Sequence, residues 1–212
     1  MRLERVVHPN PPGHPLLKAL RAGSSPFLRR AYPWGLDLDG VLRAAAHVEG
    51  GARSGVIDAL ESENAALGHP SAARAVAPLR TGARAAIAGQ QPGLFGGPLL
   101  TFEKAAAAVA VAEACTRAGT PTVAVFWSQS EDHDLVEVNR IDVEREDGVT
   151  RTTAPLEDRG ARLGDLRVDG ASVAFAREVA AQCGAPPDAH PWLAPVEGER
   201  FSDWTLRIVV AT

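Results

Sequence analysis

The sequence predicts an α/β protein with a parallel-sheet core, and three observations carry that prediction. Arg84-Ala-Ala-Ile-Ala-Gly89 is a short apolar run ending in glycine, as a buried strand does. Val123-Ala-Val-Phe-Trp127 is a continuous apolar run, the pattern of a strand buried on both faces. Between them lies an Ala-rich stretch, Leu99–Ala118, closed by Gly119, of about the length that a crossover helix needs. Strand, helix and strand in that order form a βαβ unit whose strands run the same way, with a right-handed crossover.

The remaining elements follow in order. Prolines punctuate residues 1–35, leaving room for a short helix over Leu16–Arg21 that Gly23-Ser24-Ser25 ends. Residues 36–80 read as helical. Val41-Leu42, Ala45-Ala46, then Val56, Leu60 and Ala65-Ala66-Leu67 recur at three- and four-residue steps. Gly68-His69-Pro70 interrupts this pattern, and Ala72–Leu79 adds a turn or two. Pro98 stands where a helix accepts proline as its first residue. After Asn139, Arg140–Pro155 reads as extended, with a hairpin turn at Glu146-Asp-Gly148. Leu163–Val168 reads as a further strand. Ser172–Gln182 reads as a helix with Val173, Phe175, Ala176, Val179 and Ala180 as its apolar stripe.

Composition narrows the function classes. The 212 residues are 45% hydrophobic and 23% charged, which suits an ordinary globular chain with a real core. A net charge of −4 is mild and argues against nucleic acid as an obligate partner. Cys115 and Cys183 make neither a disulfide framework nor a metal spacing, so free thiols are expected and no metal site. The N-terminus lacks the apolar core of a signal peptide. The longest apolar stretch, Ala105–Ala114, is too short to span a bilayer. A cytoplasmic protein is expected. Of the 22 basic residues only Lys18 and Lys104 are lysines, which marks Lys104 as a position where a compact ammonium matters.

In an open parallel sheet, ligands sit beyond the carboxyl ends of the strands. The first strand leads into Gly89-Gln90-Gln91 and the second into Gln129-Ser-Glu-Asp-His-Asp134, so both segments emerge on one edge and face one pocket. Gly89, Gly93, Gly96 and Gly97 put four glycines into nine residues, which lets backbone approach a ligand closely. The helix start behind them offers free N–H groups and partial positive charge to a phosphate or carboxylate. Thr101 and Lys104, three apart, share a face and add a hydroxyl and an ammonium. The same residues also fit a plain tight turn with helix-capping glycines, since they match neither the Walker loop nor G-x-G-x-x-G. In an extended chain Glu131 and His133 point one way and Asp132 and Asp134 the other. A histidine beside carboxylates suits acid–base work or the orienting of an amine, and a solvated acidic loop is the plain alternative.

The motif residues resemble the bacillithiol-biosynthesis cysteine-adding enzyme family. The resemblance rests on Gly89-Gln-Gln-Pro-Gly-Leu-Phe-Gly-Gly-Pro-Leu with Thr101 and Lys104. It continues through Val125-Phe-Trp127 and Glu131-Asp-His-Asp134 with Glu137 and Asn139. Weaker likeness lies in Leu60–Asn64, Ala85–Ala88 and Phe201-Ser-Asp-Trp204. The resemblance implies a Rossmann-like, nucleotidyltransferase-like core with inserted subdomains and a coiled coil that makes the full-length family homodimeric. It implies an amide ligase that joins cysteine to glucosaminyl-malate, the last step toward bacillithiol. Lys104, Asp132, His133 and Asp134 are then expected to be catalytic. Gly89, Gln90, Gln91, Gly93, Gly96, Gly97, Thr101, Glu131 and Asn139 are expected to bind substrate or phosphate. Amide formation from a free carboxylate is uphill, so an activating step is expected. The cofactor stays unknown, with an ATP-like nucleotide at the helix start as the hypothesis.

On this reading residues 1–80 form a mostly helical segment on the core and 81–145 the Rossmann-like βαβ core. Residues 146–200 form an α+β insertion, and 201–212 begin a further core element. The chain departs from the family at Ser128-Gln-Ser130, Leu100 and Phe102-Glu103, and it is far shorter, so a truncated form is expected. Two other readings stand beside the ligase. One is a nucleotidyltransferase-like enzyme acting on another small acid or amine. The other is an inactive fragment or binding half that needs a partner chain.

Overall fold

The computed structural model describes residues 15, 18–19, 22–35, 37–51, 53–68, 71–145, 148–157, 160–185 and 190–211. The expected helix over Leu16–Arg21 falls largely outside them. The chain divides into two compact units, residues 1–47 and 48–212. In the first, α1 (Pro26–Ala31) starts at Ser25, whose side chain accepts the Leu28 N–H. Helix α2 (Leu38–His47) starts behind Asp37, whose carboxylate accepts from Gly40 N at 2.8 Å.

The second unit carries the sheet. Helix α3 (Ser54–Ala66) and the short α4 (Ala72–Ala75) lead into a 3-10 turn over Ala77–Thr81. Their apolar residues Ile57, Val76 and Leu79 form a small buried cluster against Leu60 and Val123. Strand β1 (Arg84–Gln90) then pairs in parallel with β2 (Thr122–Ser128), from Arg84 opposite Thr122 to Gln90 opposite Ser128. The crossover is α5 (Leu99–Arg117). Thr101, Ala108, Ala112 and Cys115 recur at helical spacing on its buried face, and the two alanines let the helix lie close to the strands. Pro98 is its cap residue rather than its first helical one.

The expectations of a buried first strand and of a second strand buried on both faces are corrected here. Ile87 and Trp127, on the sheet face away from α5, are 63% and 62% exposed. Among the described residues, the α3 cluster reaches that face only at Val123, and the sheet has two strands. An apolar sequence run records what a strand is suited to bury, and here one face has little to bury against.

Beyond β2, helix α6 (Leu135–Val138) leads into an antiparallel hairpin, β3 (Arg140–Arg145) with β4 (Gly148–Thr153). Glu146 and Asp147 of the expected turn lie outside the described residues. Leu163–Val168 is not a strand. It forms a 3-10 turn over Leu163–Asp165 and then a single bridge from Arg167 to Arg200. Arg162 and Asp165, three apart, bond across that turn at 2.8 Å, which folds the segment back on itself. Helix α7 (Gly170–Gln182) starts at Asp169, which accepts from Ser172 N at 2.8 Å. Helix α8 (Phe201–Ala211) closes the described chain. Its Phe201, Trp204 and Ile208 sit at the centre of the larger core with Leu94, Leu135, Val138, Leu163, Val168 and Ala176. That core joins the glycine-rich turn, the acidic segment and α7 around α8.

Candidate functional site

The site begins where β1 ends. Lys104 lies on the sheet-facing side of α5, so its side chain passes beneath the carboxyl end of β1. Its Nζ donates to Gly89 O at 3.2 Å and to Gln90 Oε1 at 2.6 Å. Both acceptors are neutral, and no carboxylate among the described residues pairs with the ammonium. Gln90 passes the contact on, donating through Nε2 to Gln91 Oε1 at 3.1 Å. Gln91 Nε2 then donates to Asp132 Oδ2 at 2.8 Å and to Glu137 Oε2 at 3.2 Å. A continuous polar chain thus runs from Lys104 through two glutamines to the acidic segment. Parallel pairing makes this geometry, since it brings both strand ends to one edge.

The acidic segment is a turn and not the extended run the sequence suggested. Asp132 Oδ1 accepts from His133 N at 2.7 Å and Asp134 N at 3.1 Å, which curls the chain around one carboxylate. The Gln91 amide, followed by these two N–H groups, holds the Asp132 carboxyl below its ordinary value. Asp134 starts α6, its Oδ1 accepting from Glu137 N at 3.2 Å. The His133 side chain is exposed and engages no hydrogen bond among the described residues. Glu131 is turned outward and pairs with Arg162 at 2.9 Å.

The glycine-rich turn is packed from below. Leu94 and Gly96 are buried, and Phe95 takes φ 52°, a left-handed conformation that costs a non-glycine residue energy. Its ring meets Trp204 edge-on at 5.4 Å, a contact that offsets the strain. Gly97, at φ 84°, could not carry a side chain, because its Cβ would stand 2.9 Å from Thr101 Oγ1. Thr101 is fully buried, and its hydroxyl has no hydrogen-bond partner among the described residues. It points under Gly97 and not outward beside the Lys104 ammonium. The amino end of α5 itself is open. Among the described residues no side chain caps it, and Leu99 and Leu100 are exposed. Asn139 is buried at the far side of α6, where its carbonyl accepts from Ala154 N at 2.8 Å and anchors β4.

The structure therefore gathers Gly89, Gln90, Gln91, Lys104 and Asp132 into one contact chain, with Glu131, His133 and Asp134 on the adjoining turn. It sets Thr101 and Asn139 inside the fold. Three residues at the site carried no sequence signal that named them. Arg162 and Gly164 come from the 3-10 turn, whose Leu163 N and Gly164 N donate to Asp132 O at 2.7 Å and Ser130 O at 2.8 Å. Thr205 comes from α8. Among the described residues no group of three or more His, Cys, Asp or Glu could hold a metal ion. No helix there is long and apolar enough to cross a membrane.

Comparison with known proteins decides the family. The family described as bacillithiol biosynthesis BshC, N-terminal Rossmann-like domain, matches residues 39–195. The chain belongs to the BshC family. Its α/β fold, with the parallel β1–β2 pair and the α5 crossover, is the Rossmann-like part of that match. Relatives provisionally named cysteine ligase BshC are similar over part of their length. The protein from Koribacter versatilis is 46% identical over 122 residues, covering 56% of this chain and 23% of that relative. That from Heliobacterium modesticaldum is 42% identical over 81 residues, 36% of this chain and 15% of its own. That from Symbiobacterium thermophilum is 37% identical over 143 residues, 58% and 26%. The matched stretches thus make up about a quarter or less of these BshC relatives.

Proposed function

We propose that this chain provides an anion-binding and amine-orienting site for a cysteine ligase that adds cysteine to glucosaminyl-malate. The observation that carries the reading is the Lys104 ammonium, held by two neutral oxygens at the end of β1, on the helix whose start no side chain caps among the described residues. A charge so placed has its geometry fixed by neutral acceptors, which leaves its positive charge to attract a phosphate or a carboxylate. The same features fit an ATP-like nucleotide, which when bound would supply the activation that amide formation from a free carboxylate requires. The chain's own residues do the rest. Lys104 and the Leu99 and Leu100 N–H groups hold and neutralise the anion. Asp132, kept ionised by Gln91 and two backbone amides, is a poor proton acceptor and a good partner for an ammonium. His133, adjacent and uncommitted, is the group suited to take the proton an attacking amine must lose.

The open Ile87–Trp127 sheet face favours a second reading, in which the chain is a binding half that acts with further polypeptide. One assay separates the two. The chain is incubated with cysteine, glucosaminyl-malate and ATP, and products are read by mass spectrometry. The ligase reading expects a product heavier than glucosaminyl-malate by cysteine less water, absent with Lys104→Ala. No product from a folded wild-type chain would contradict the ligase reading for this chain and leave the binding half.

A further inference from the structure

The most distant contact at the site is the most informative. Helix α8 carries Phe201, Trp204, Thr205 and Ile208 at the spacing of one helix face, and all four are buried. That face meets the glycine-rich turn. Trp204 lies against Phe95, and Ile208 Cγ2 stands 3.3 Å from where a Gly96 Cβ would be. Between them the Thr205 hydroxyl lies 3.0 Å from Gly93 O and 3.1 Å from Phe201 O, in its own helix. The Gly93 carbonyl also accepts Gly96 N at 3.1 Å, so its second lone pair is the one within reach of the Thr205 hydroxyl, whose single proton has Gly93 O and Phe201 O as its two acceptors. The next bond, Gly97 N to Leu94 O at 2.9 Å, sets Gly97 over Thr101 and delivers Pro98 to the start of α5. A turn that holds Phe95 at positive φ does not keep that shape by local preference. Something outside it must fix it.

We propose that Thr205 is a positioning residue: its hydroxyl, donated to the Gly93 carbonyl, locks Gly93–Gly97 in the form that presents the amino end of α5 to an anion. The anion itself rests on the reading given under Proposed function, whereas the locking of the turn does not. Removing the hydroxyl leaves one lone pair of a buried carbonyl unsatisfied, loosens the turn first, and weakens anion binding as a consequence.

The test uses the 212-residue chain and two readouts. Backbone amide hydrogen exchange is followed by NMR without ligand, and inorganic pyrophosphate affinity by calorimetry. Thr205→Val keeps the shape and loses the hydroxyl. Thr205→Ala loses it without placing a methyl beside the Gly93 carbonyl, and covers poor folding of the valine variant. Thr205→Ser restores the hydroxyl. The expected result is exchange at Gly96 and Gly97 faster by about tenfold in the Val and Ala variants, the scale of one lost hydrogen bond. The β3–β4 amides stay unchanged, and Thr205→Ser behaves as wild type. Pyrophosphate affinity falls by about tenfold in the same two variants and is regained with serine. Exchange unchanged in Val and Ala, or quickened equally at Gly96 and throughout β3–β4, overturns the proposal. So does pyrophosphate bound equally by wild type and Thr205→Val. If exchange responds as expected and the wild-type chain takes no pyrophosphate, the locking of the turn stands and the anion reading is what fails.

Discussion

At the scale of single residues, the chemistry turns on how two charges are held. Lys104 is one of two lysines in a chain that otherwise uses arginine, and its ammonium fits between Gly89 O and Gln90 Oε1. A planar guanidinium could not occupy that position with the same two acceptors. Across the polar chain, Asp132 is held ionised, chiefly by the Gln91 amide. Its carboxyl titrates below the ordinary aspartate value of about 3.9. The sign follows: the stabilisation is fully present above the unfolded value and is lost as pH falls through the lower folded value. Gln91→Ala removes the largest cause. The Asp132 midpoint, followed by carboxyl NMR, should then move back up toward the ordinary value while His133 N and Asp134 N hold it part of the way down. A midpoint unmoved by Gln91→Ala would remove Gln91 from the network. That the glutamines and the acidic run share one edge was legible in the sequence, because the ends of two parallel strands lie side by side, and Lys104 stood out as one of two lysines. Their detailed partners were not, because side-chain amides choose among several acceptors only in three dimensions.

At the scale of elements, the acidic turn is held by a strap that sequence patterning misread. Leu163–Val168 is a short segment with apolar residues at both ends that reads as a strand, yet Asp165 N bonds Arg162 O to make a turn, and its amides bond to Ser130 O and Asp132 O. The closeness of that approach demands Gly164. A Cβ there would stand 2.9 Å from Ser130 Cβ and 3.2 Å from Ser130 O. Gly164→Ala should therefore cost about 1–3 kcal/mol in urea unfolding, the scale of overpacking a tight contact. Unchanged stability would mean that the strap sits loosely. The βαβ unit followed from two apolar runs about an Ala-rich stretch, the hairpin from its turn residues and α7 from its apolar stripe. The strap did not, because the structure of so short a segment is decided by what it packs on. The same holds for Thr205, whose bond to Gly93 spans 112 residues of chain and has no local signature.

At the scale of the whole molecule, one core organises the site. Helix α8 lies under the glycine-rich turn, and the same cluster takes in Leu135, Val138 and Leu163 from the acidic side. The two halves of the site thus share a foundation as well as a sheet edge. The sheet is less enclosed than its sequence implies, with Ile87 and Trp127 open to solvent on one face. Apolar strands of this kind are suited to burial on both faces, and the chain matches only part of the length of its BshC relatives. Family membership, read from Gly89–Asn139, agrees with the match over residues 39–195. The roles of individual residues depend on the anion site. That site is tested most directly by titrating the isotopically labelled chain with inorganic pyrophosphate and following its backbone amides by NMR. The account predicts shifts centred on Gln90, Leu99, Leu100 and Lys104, with affinity lower by at least about tenfold in Lys104→Ala, the weight of one charge-assisted contact. Shifts absent from that edge, or equal affinity with and without the Lys104 ammonium, would contradict it.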